Sequence, residues 1–321
     1  MEDKEELCFP QLSNLSCRKP SSSSSKMMTI RVLMSSIALL TVALNLLVII
    51  AISHFRQLHT PTNILLLSLA VSDFLMGLIM MPLMISRISS CWIFGEYICL
   101  MCYYLSFTIT SASIGDMVLI SVDRYVAICD PLRYSSRITE RRVKVCVCLC
   151  WLCSVLYTGF CLKNNLRQPG IYNSCYGECV IALDFIEGTV DLVVTFIAPI
   201  TAIIVLYTRV FAAAVTQARA MRSRVAAGVT AKKSELKAAT TLGVLVVVFL
   251  ICFCPYNCLI LSGHSLLQSW SMSFVTLLFV SNSCLNPLIY TLFYPWFRKA
   301  LRLIVTLQIL QPGSCNAKIL R

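Results

Sequence analysis

The stretch CLMCYYLSFTITSASIGDMVLISVDRYVAICDP, residues Cys99 to Pro131, decides how the chain is read. It opens on a cysteine, runs through about twenty apolar or small residues, and closes on Asp123-Arg124-Tyr125 followed by Asp130-Pro131. As a helix rising 1.5 Å per residue, the part from Cys99 to Arg124 is long enough to cross a hydrocarbon layer of roughly 30 Å at a tilt. One end can be stapled on one side while the other presents a charged pair on the opposite side.

Composition extends this reading to the whole chain. Of 321 residues, 58% are hydrophobic and 13% charged, a balance that suits a membrane protein and not a water-soluble domain. Seven apolar spans stand out: Ile30 to Phe55, Thr62 to Ile85, Ile98 to Cys129, Val143 to Leu162, Phe185 to Leu206, Ala238 to Leu261 and Trp270 to Phe293. The expected fold class is an all-α membrane protein, a seven-transmembrane helix bundle. Its expected division is an extracellular N-terminus (1–29), the bundle (30–293), an amphipathic membrane-surface helix (294–305) and a cytoplasmic tail (306–321).

Basic residues set the expected orientation. With the N-terminus outside, eight Lys/Arg lie outside (Lys4, Arg18, Lys19, Lys26, Arg31, Arg87, Lys163, Arg167), leaving the other nineteen of 27 inside. The expected place is therefore the plasma membrane, crossed several times with an extracellular N-terminus. The basic excess faces anionic lipid and cytosolic partners, and a nucleic-acid partner has no support. Met1 to Lys26 is charged and Ser-rich with no apolar core, so the first span is expected to act as the insertion signal. Asn14-Leu15-Ser16 is a glycosylation acceptor on the outer side. The outer cysteines are Cys8, Cys17, Cys91, Cys99, Cys175 and Cys179, where oxidation is expected. Cys175 and Cys179 stand too close to bridge one another readily, so their loop is expected to be pinned to two other elements.

Polar residues inside the spans are the functional candidates. Asn45, Asp73, Ser113, Asn282 and Asn286 are placed to build one polar cluster, with water or a sodium ion. On the third span Ser106, Thr110 and Ser113 form a mildly polar stripe that carries no acid. Arg124 can pair with Asp123 or with a carboxylate on another helix, a two-position latch, or simply snorkel at the interface. On the fifth span, Asp184, Glu187 and Asp191 share a helix face. Asp184 and Glu187 are expected to be wet. Asp191, two turns down among valines and a leucine, is expected to be desolvated without a cationic partner, and so to await a ligand cation or to sit neutral. In the sixth span Pro255 gives a bend, and Phe253 and Tyr256 offer aromatic faces to a cation or ordinary packing. Asp116 reads as a structural hydrogen-bonding residue. Pro82 is expected to kink the second span. Past Pro295, apolar Phe297, Leu301, Leu303 and Ile304 alternate with Arg298, Lys299 and Arg302, a short helix lying on the inner leaflet. Cys315 is a palmitoylation candidate. No enzymatic constellation and no cofactor site is visible. A retinal-based protein would need a seventh-span lysine, which Trp270 to Phe293 lacks, and a transporter would be expected to show internal repeats.

Taken together, Asn45, Leu69 to Asp73, Cys99, Asp123-Arg124-Tyr125, Trp151, Pro199 with Tyr207, Phe249 with Pro255, and Asn286-Pro287 with Tyr290 resemble the rhodopsin-like G protein-coupled receptors. Within that class, the run from Asn282-Ser283 through Asn286-Pro287, Tyr290 and Tyr294 to Trp296-Phe297 is similar to the trace amine-associated receptors, as are Cys8-Phe9-Pro10 and Asn14-Leu15-Ser16-Cys17.

The resemblance implies a disulfide between Cys99 and Cys179 and a second between Cys17 and Cys175. It implies a core switch of Ile114, Pro199 and Phe249. It also implies that Arg124 rearranges with Tyr207 and Tyr290 to admit a heterotrimeric G protein of the stimulatory type, with Glu235 as the latch partner. The implied ligand is a small amine, sensed in olfaction, with Asp191, Ser106, Thr110, Glu187, Thr195, Phe253, Tyr256 and Val280 facing it. Two departures shape that ligand. The third-span aspartate that usually holds the ammonium is Ser106 here, and the supporting seventh-span tyrosine and sixth-span tryptophan are Val280 and Phe253. Asp191, eight residues before Pro199, faces the same pocket from the opposite wall, as in a subgroup abundant in bony fishes. A second ammonium on Glu187, and a non-amine ligand, are the alternatives.

Overall fold

The structure is a computed structural model describing residues 7–12, 14–19, 25–89, 91–225, 233–261 and 270–319. Seven long helices form the bundle: α1 (Ser25–His54), α2 (Pro61–Leu75, continuing to Ser89), α3 (Gly95–Cys129), α4 (Glu140–Cys161), α5 (Phe185–Leu192, continuing to Val225), α6 (Lys233–Leu261) and α7 (Trp270–Phe293). An eighth, α8 (Pro295–Val305), follows the last. Six are long and apolar enough to cross a membrane as described, and α6 contributes the apolar run Gly243–Leu259.

Much of the bundle's outer surface is apolar. Leu39 on α1 and Leu156 on α4 are 73% and 65% exposed, a pattern that water would penalise and hydrocarbon satisfies. α3 is the central rod, at 35 residues about 50 Å long, and it packs on α2, α4, α5 and α6. Around its lower half lies the main core, built from Phe55, Leu66, Leu69, Met117, Ile120, Phe249 and Tyr290.

Two helices carry a widened turn just before a proline. In α2 it spans Met76–Met80 ahead of Pro82, and in α5 Val193–Ile197 ahead of Pro199. A proline ring has no N–H and crowds the carbonyl one turn back, and the wider turn re-pairs the backbone around that loss. The expected irregularity at Pro82 thus takes the form of a π-turn.

Asp116 has the structural partner expected of it. Ser68 Oγ donates to its Oδ2 at 2.7 Å, and Trp151 Nε1 donates to Ser68 at 3.0 Å, so one polar chain ties α2, α3 and α4 together.

On the N-terminal face three disulfides clamp the entrance. Cys99–Cys179 ties α3 to the loop before α5, and Cys17–Cys175 ties the N-terminal segment to the same loop. A third, Cys8–Cys91, ties that segment to the loop between α2 and α3. Cys17 N donates to Tyr176 O at 3.0 Å and Tyr176 N to Leu15 O at 2.7 Å, so the segment lies along the loop like a short strand.

At the opposite face α8 buries Trp296, Phe297 and Ala300 and turns Arg298, Lys299 and Arg302 outward. The tail then folds back. Ile319 is 2% exposed, its amide donates to Gln57 Oε1 at 3.1 Å, and Ser314 Oγ lies 2.9 Å from His54 Nε2. Cys315 is half-buried in this segment.

Candidate ligand-binding site

Asp191 lies in the last turn of the first section of α5, ahead of the widened turn. Its Oδ1 accepts the hydroxyl of Tyr157 on α4. Among the described residues no Lys or Arg stands within ion-pair distance of it. Thr195 Oγ1 donates to the Asp191 backbone carbonyl at 2.7 Å, and so supports the turn below the carboxylate. Asp191 is half-buried and turned toward α4.

Glu187 departs from expectation. It is fully buried, with 0% exposure, where a water-facing carboxylate was expected. It completes a capping box, its Oε2 accepting the Asp184 amide at 2.9 Å while Asp184 Oδ1 accepts the Glu187 amide at 2.7 Å. Asn164 Nδ2 donates to Glu187 Oε1 at 3.0 Å and Lys163 Nζ lies 3.6 Å from it. Asp184, Glu187 and Asp191 do share a face, and it turns toward α4 and the short helix Lys163–Arg167 rather than to water. The Glu187 amide holds the Asp184 carboxyl below its ordinary pKa.

The remaining residues expected to face a ligand are distributed unevenly. Ser106 lines a cleft between α2 and α3, with its Oγ 3.5 Å from Met80 Sδ. Thr110 is half-buried one turn below. Phe253 is 6% exposed and stacked, its ring centroid 4.8 Å from those of both Phe249 and Phe279, so its faces are taken by aromatic neighbours. Tyr256 packs 4.9 Å from Phe279. Val280 is fully buried with Met76, Met80 and Ile109, beneath the cleft and not open to it.

Deeper, Asp73 Oδ2 accepts Asn286 Nδ2 at 2.8 Å, and Asn45 Nδ2 donates to the Ser283 and Thr41 carbonyls, both at 2.9 Å. The Oδ1 atoms of Asp73, Asn45, Asn282 and Asn286 are buried with no partner among the described residues. A carboxylate amid unpaired amide oxygens suits a small hard cation or water. Ser113, expected in this cluster, makes no hydrogen bond to it among the described residues.

At the far end, Arg124 Nη2 reaches Asp123 Oδ2 and Thr62 Oγ1, both at 2.5 Å. Tyr134 donates to Asp123 Oδ1 at 2.9 Å, and Thr62 to Asp123 Oδ2 at 3.0 Å. The arginine is thus engaged by its own neighbour, one of the two latch positions. Tyr125 is half-buried beside it. Glu235, the expected alternative partner, lies outside the residues whose side chains are described. The hydroxyls of Tyr207 and Tyr290 are buried with no partner among the described residues. Ile114 and Phe249 sit in one core cluster, and Pro199 and Ile114 line a groove formed by α3, α4 and α5. Pro287 lies within α7 and Pro255 within α6.

Sequence reasoning missed Tyr157, Arg87 and the Cys8–Cys91 bridge. The last had a signal, since pairing the other four outer cysteines leaves those two. Tyr157 had little, because a tyrosine in a lipid-facing helix reads as packing.

A seven-helix bundle with this latch, polar cluster and capped entrance defines a class. The chain belongs to the rhodopsin family of seven-transmembrane receptors, whose family model matches residues 44–290. Within it the chain is a G protein-coupled receptor of the trace amine-associated type. It is 35% identical to trace amine-associated receptor 13c of Danio rerio, with 99% of this chain and 97% of that one covered. It is 36% identical to trace amine-associated receptor 1 of Mus musculus over 96% of this chain and 98% of that one, and 38% identical to receptor 5 of Rattus norvegicus over 88% and 86%. The family is one of receptors and not of enzymes.

Proposed function

We propose that this receptor is activated by small amines, volatile or biogenic, whose ammonium pairs with Asp191. The observation that carries the reading is a half-buried carboxylate on α5 that has a neutral phenol for a partner and no cation within ion-pair distance among the described residues. An intramembrane acid costs about 2.5–3.5 kcal/mol on insertion scales, and facing a cavity it typically marks a ligand or ion path. Tyr256 and Thr110 receive the ligand's apolar part, with the Ser106 hydroxyl at the outer end of the α3 stripe. Glu187 is the weaker candidate for a second ammonium, because Lys163 and the capping box already engage it.

In the same reading the N-terminus is extracellular, as the distribution of Lys and Arg argues. Asn14 is exposed there and accepts a glycan. Ligand preference for an open arrangement shifts the helix equilibrium, frees Arg124 from Asp123 and admits a stimulatory G protein. Plasma-membrane residence and an olfactory role rest on the family resemblance.

A cyclic-AMP reporter assay with an amine panel tests the anchor. Wild type responds, and Asp191→Asn and Asp191→Ala lose the response by about a hundredfold or more in potency at matched surface expression. Equal responses from all three overturn the assignment.

A further inference from the structure

The cleft between α2 and α3 contains a cation that the amine reading leaves unused. Arg87, in the last turn of α2, lines it with Met80, Leu83, Tyr103, Ser106 and Cys179, and its cavity measures about 30 Å³, the size of one small polar group. An arginine at the end of a membrane helix ordinarily reaches outward for headgroups. This one is turned inward. Its Nη1 donates to the Tyr103 hydroxyl, its guanidinium carbon lies 5.0 Å from the centre of the Tyr103 ring, and Tyr103 donates onward to the Cys179 carbonyl at 3.4 Å. Among the described residues no carboxylate lies within ion-pair distance of it. A guanidinium carries five N–H donors in a flat fork, and Tyr103 takes one of them. Ser106 adds a hydroxyl on the same wall.

The helix α3 connects this end to the other. It packs on α2, which carries Arg87, and on α5, which carries Asp191. The ligand region therefore holds a positive group on α2 and a negative group on α5, to either side of α3. A plain alkylamine satisfies only the second.

We propose that the Arg87 cleft is an oxyanion subsite and that the preferred ligands are amines bearing a carboxylate at the opposite end. This rests on Asp191 as the ammonium anchor. The carboxylate takes two N–H donors of the Arg87 fork, a geometry a point charge does not offer. Ser106 contributes a third hydrogen bond. Tyr103 holds the guanidinium in place.

The test uses full-length purified receptor in detergent and reads ligand-induced thermal stabilisation. The probes are ω-amino carboxylates from glycine to ε-aminocaproate, each beside its methyl ester and the alkylamine of the same carbon count. Some member of the acid series is expected to half-saturate at a concentration about tenfold or more below its ester and its alkylamine. Arg87→Gln abolishes that preference, and Arg87→Lys, which keeps the charge without the fork, retains part of it. If no acid outperforms its ester on the wild type, or if Arg87→Gln keeps the preference, the subsite is overturned; the wild-type comparison stands alone should the variant fail to fold. Asp191→Asn separates the two ideas. Loss of alkylamine and ester binding in that variant supports the anchor. An unchanged variant whose acid preference still needs Arg87 sinks the anchor and leaves the subsite.

Discussion

Tyr157 donates its hydroxyl to Asp191 from α4, and this bond sets the carboxylate's direction before any ligand arrives. A hydrogen bond to a charged group contributes about 1.5–3 kcal/mol. Tyr157→Phe is expected to weaken amine potency by roughly tenfold, less than Asp191→Asn, as read by dose–response in the cyclic-AMP assay. A larger loss than that of Asp191→Asn would make Tyr157 the anchor. The acid itself was legible in the sequence, from its apolar neighbours and the lack of a basic partner. Glu187, four residues earlier, was misread, because spacing gives the face a residue occupies and not what covers that face. Lys163 and Asn164, more than twenty positions away, cover it.

At the scale of elements, the start of α5 depends on the Asp184–Glu187 capping box. The carboxyl of Asp184 is held below its ordinary value of 3.8, chiefly by the Glu187 amide, so its stabilising effect is present above that value and is lost as pH falls through the lowered one. The Tm difference between wild type and Asp184→Ala is therefore expected to shrink as pH is lowered through the carboxylate range; a difference constant with pH would contradict the cap.

The N-terminal segment is a second element with a clear test. Cys8–Cys91 closes a separation of 83 residues and Cys17–Cys175 one of 158. A disulfide closing such loops stabilises by about 4.5–5 kcal/mol in the chain-entropy account. The Cys8→Ser, Cys91→Ser double variant is expected to melt several degrees lower while keeping its fold, measured by thermal unfolding; an unchanged Tm would contradict it. The resemblance supplied two bridges, and the third followed only by elimination among the six outer cysteines.

Across the whole molecule, the seven spans were readable from hydropathy because a membrane demands about twenty apolar residues per crossing. The widened turns in α2 and α5 announced themselves only as prolines, and the returning tail gave no signal, for its few contacts on Gln57 and His54 depend on where α8 leads it. In the proposed mechanism the same bundle stores a two-state device. Asp123 holds Arg124 with help from Thr62 and Tyr134, so Tyr134→Phe removes one support of the closed arrangement. A shift of about 1 kcal/mol changes the open-to-closed ratio about fivefold. Basal cyclic-AMP signalling is expected to rise in that variant without ligand, and a fall would place Tyr134 on the open side.

The most direct measurement is an experimental structure of the receptor with an activating amine bound. The account predicts the ligand nitrogen within about 4 Å of an Asp191 carboxylate oxygen, the distance of an ion pair. A nitrogen resting instead against Glu187 or Asp73, or against no carboxylate, would contradict it.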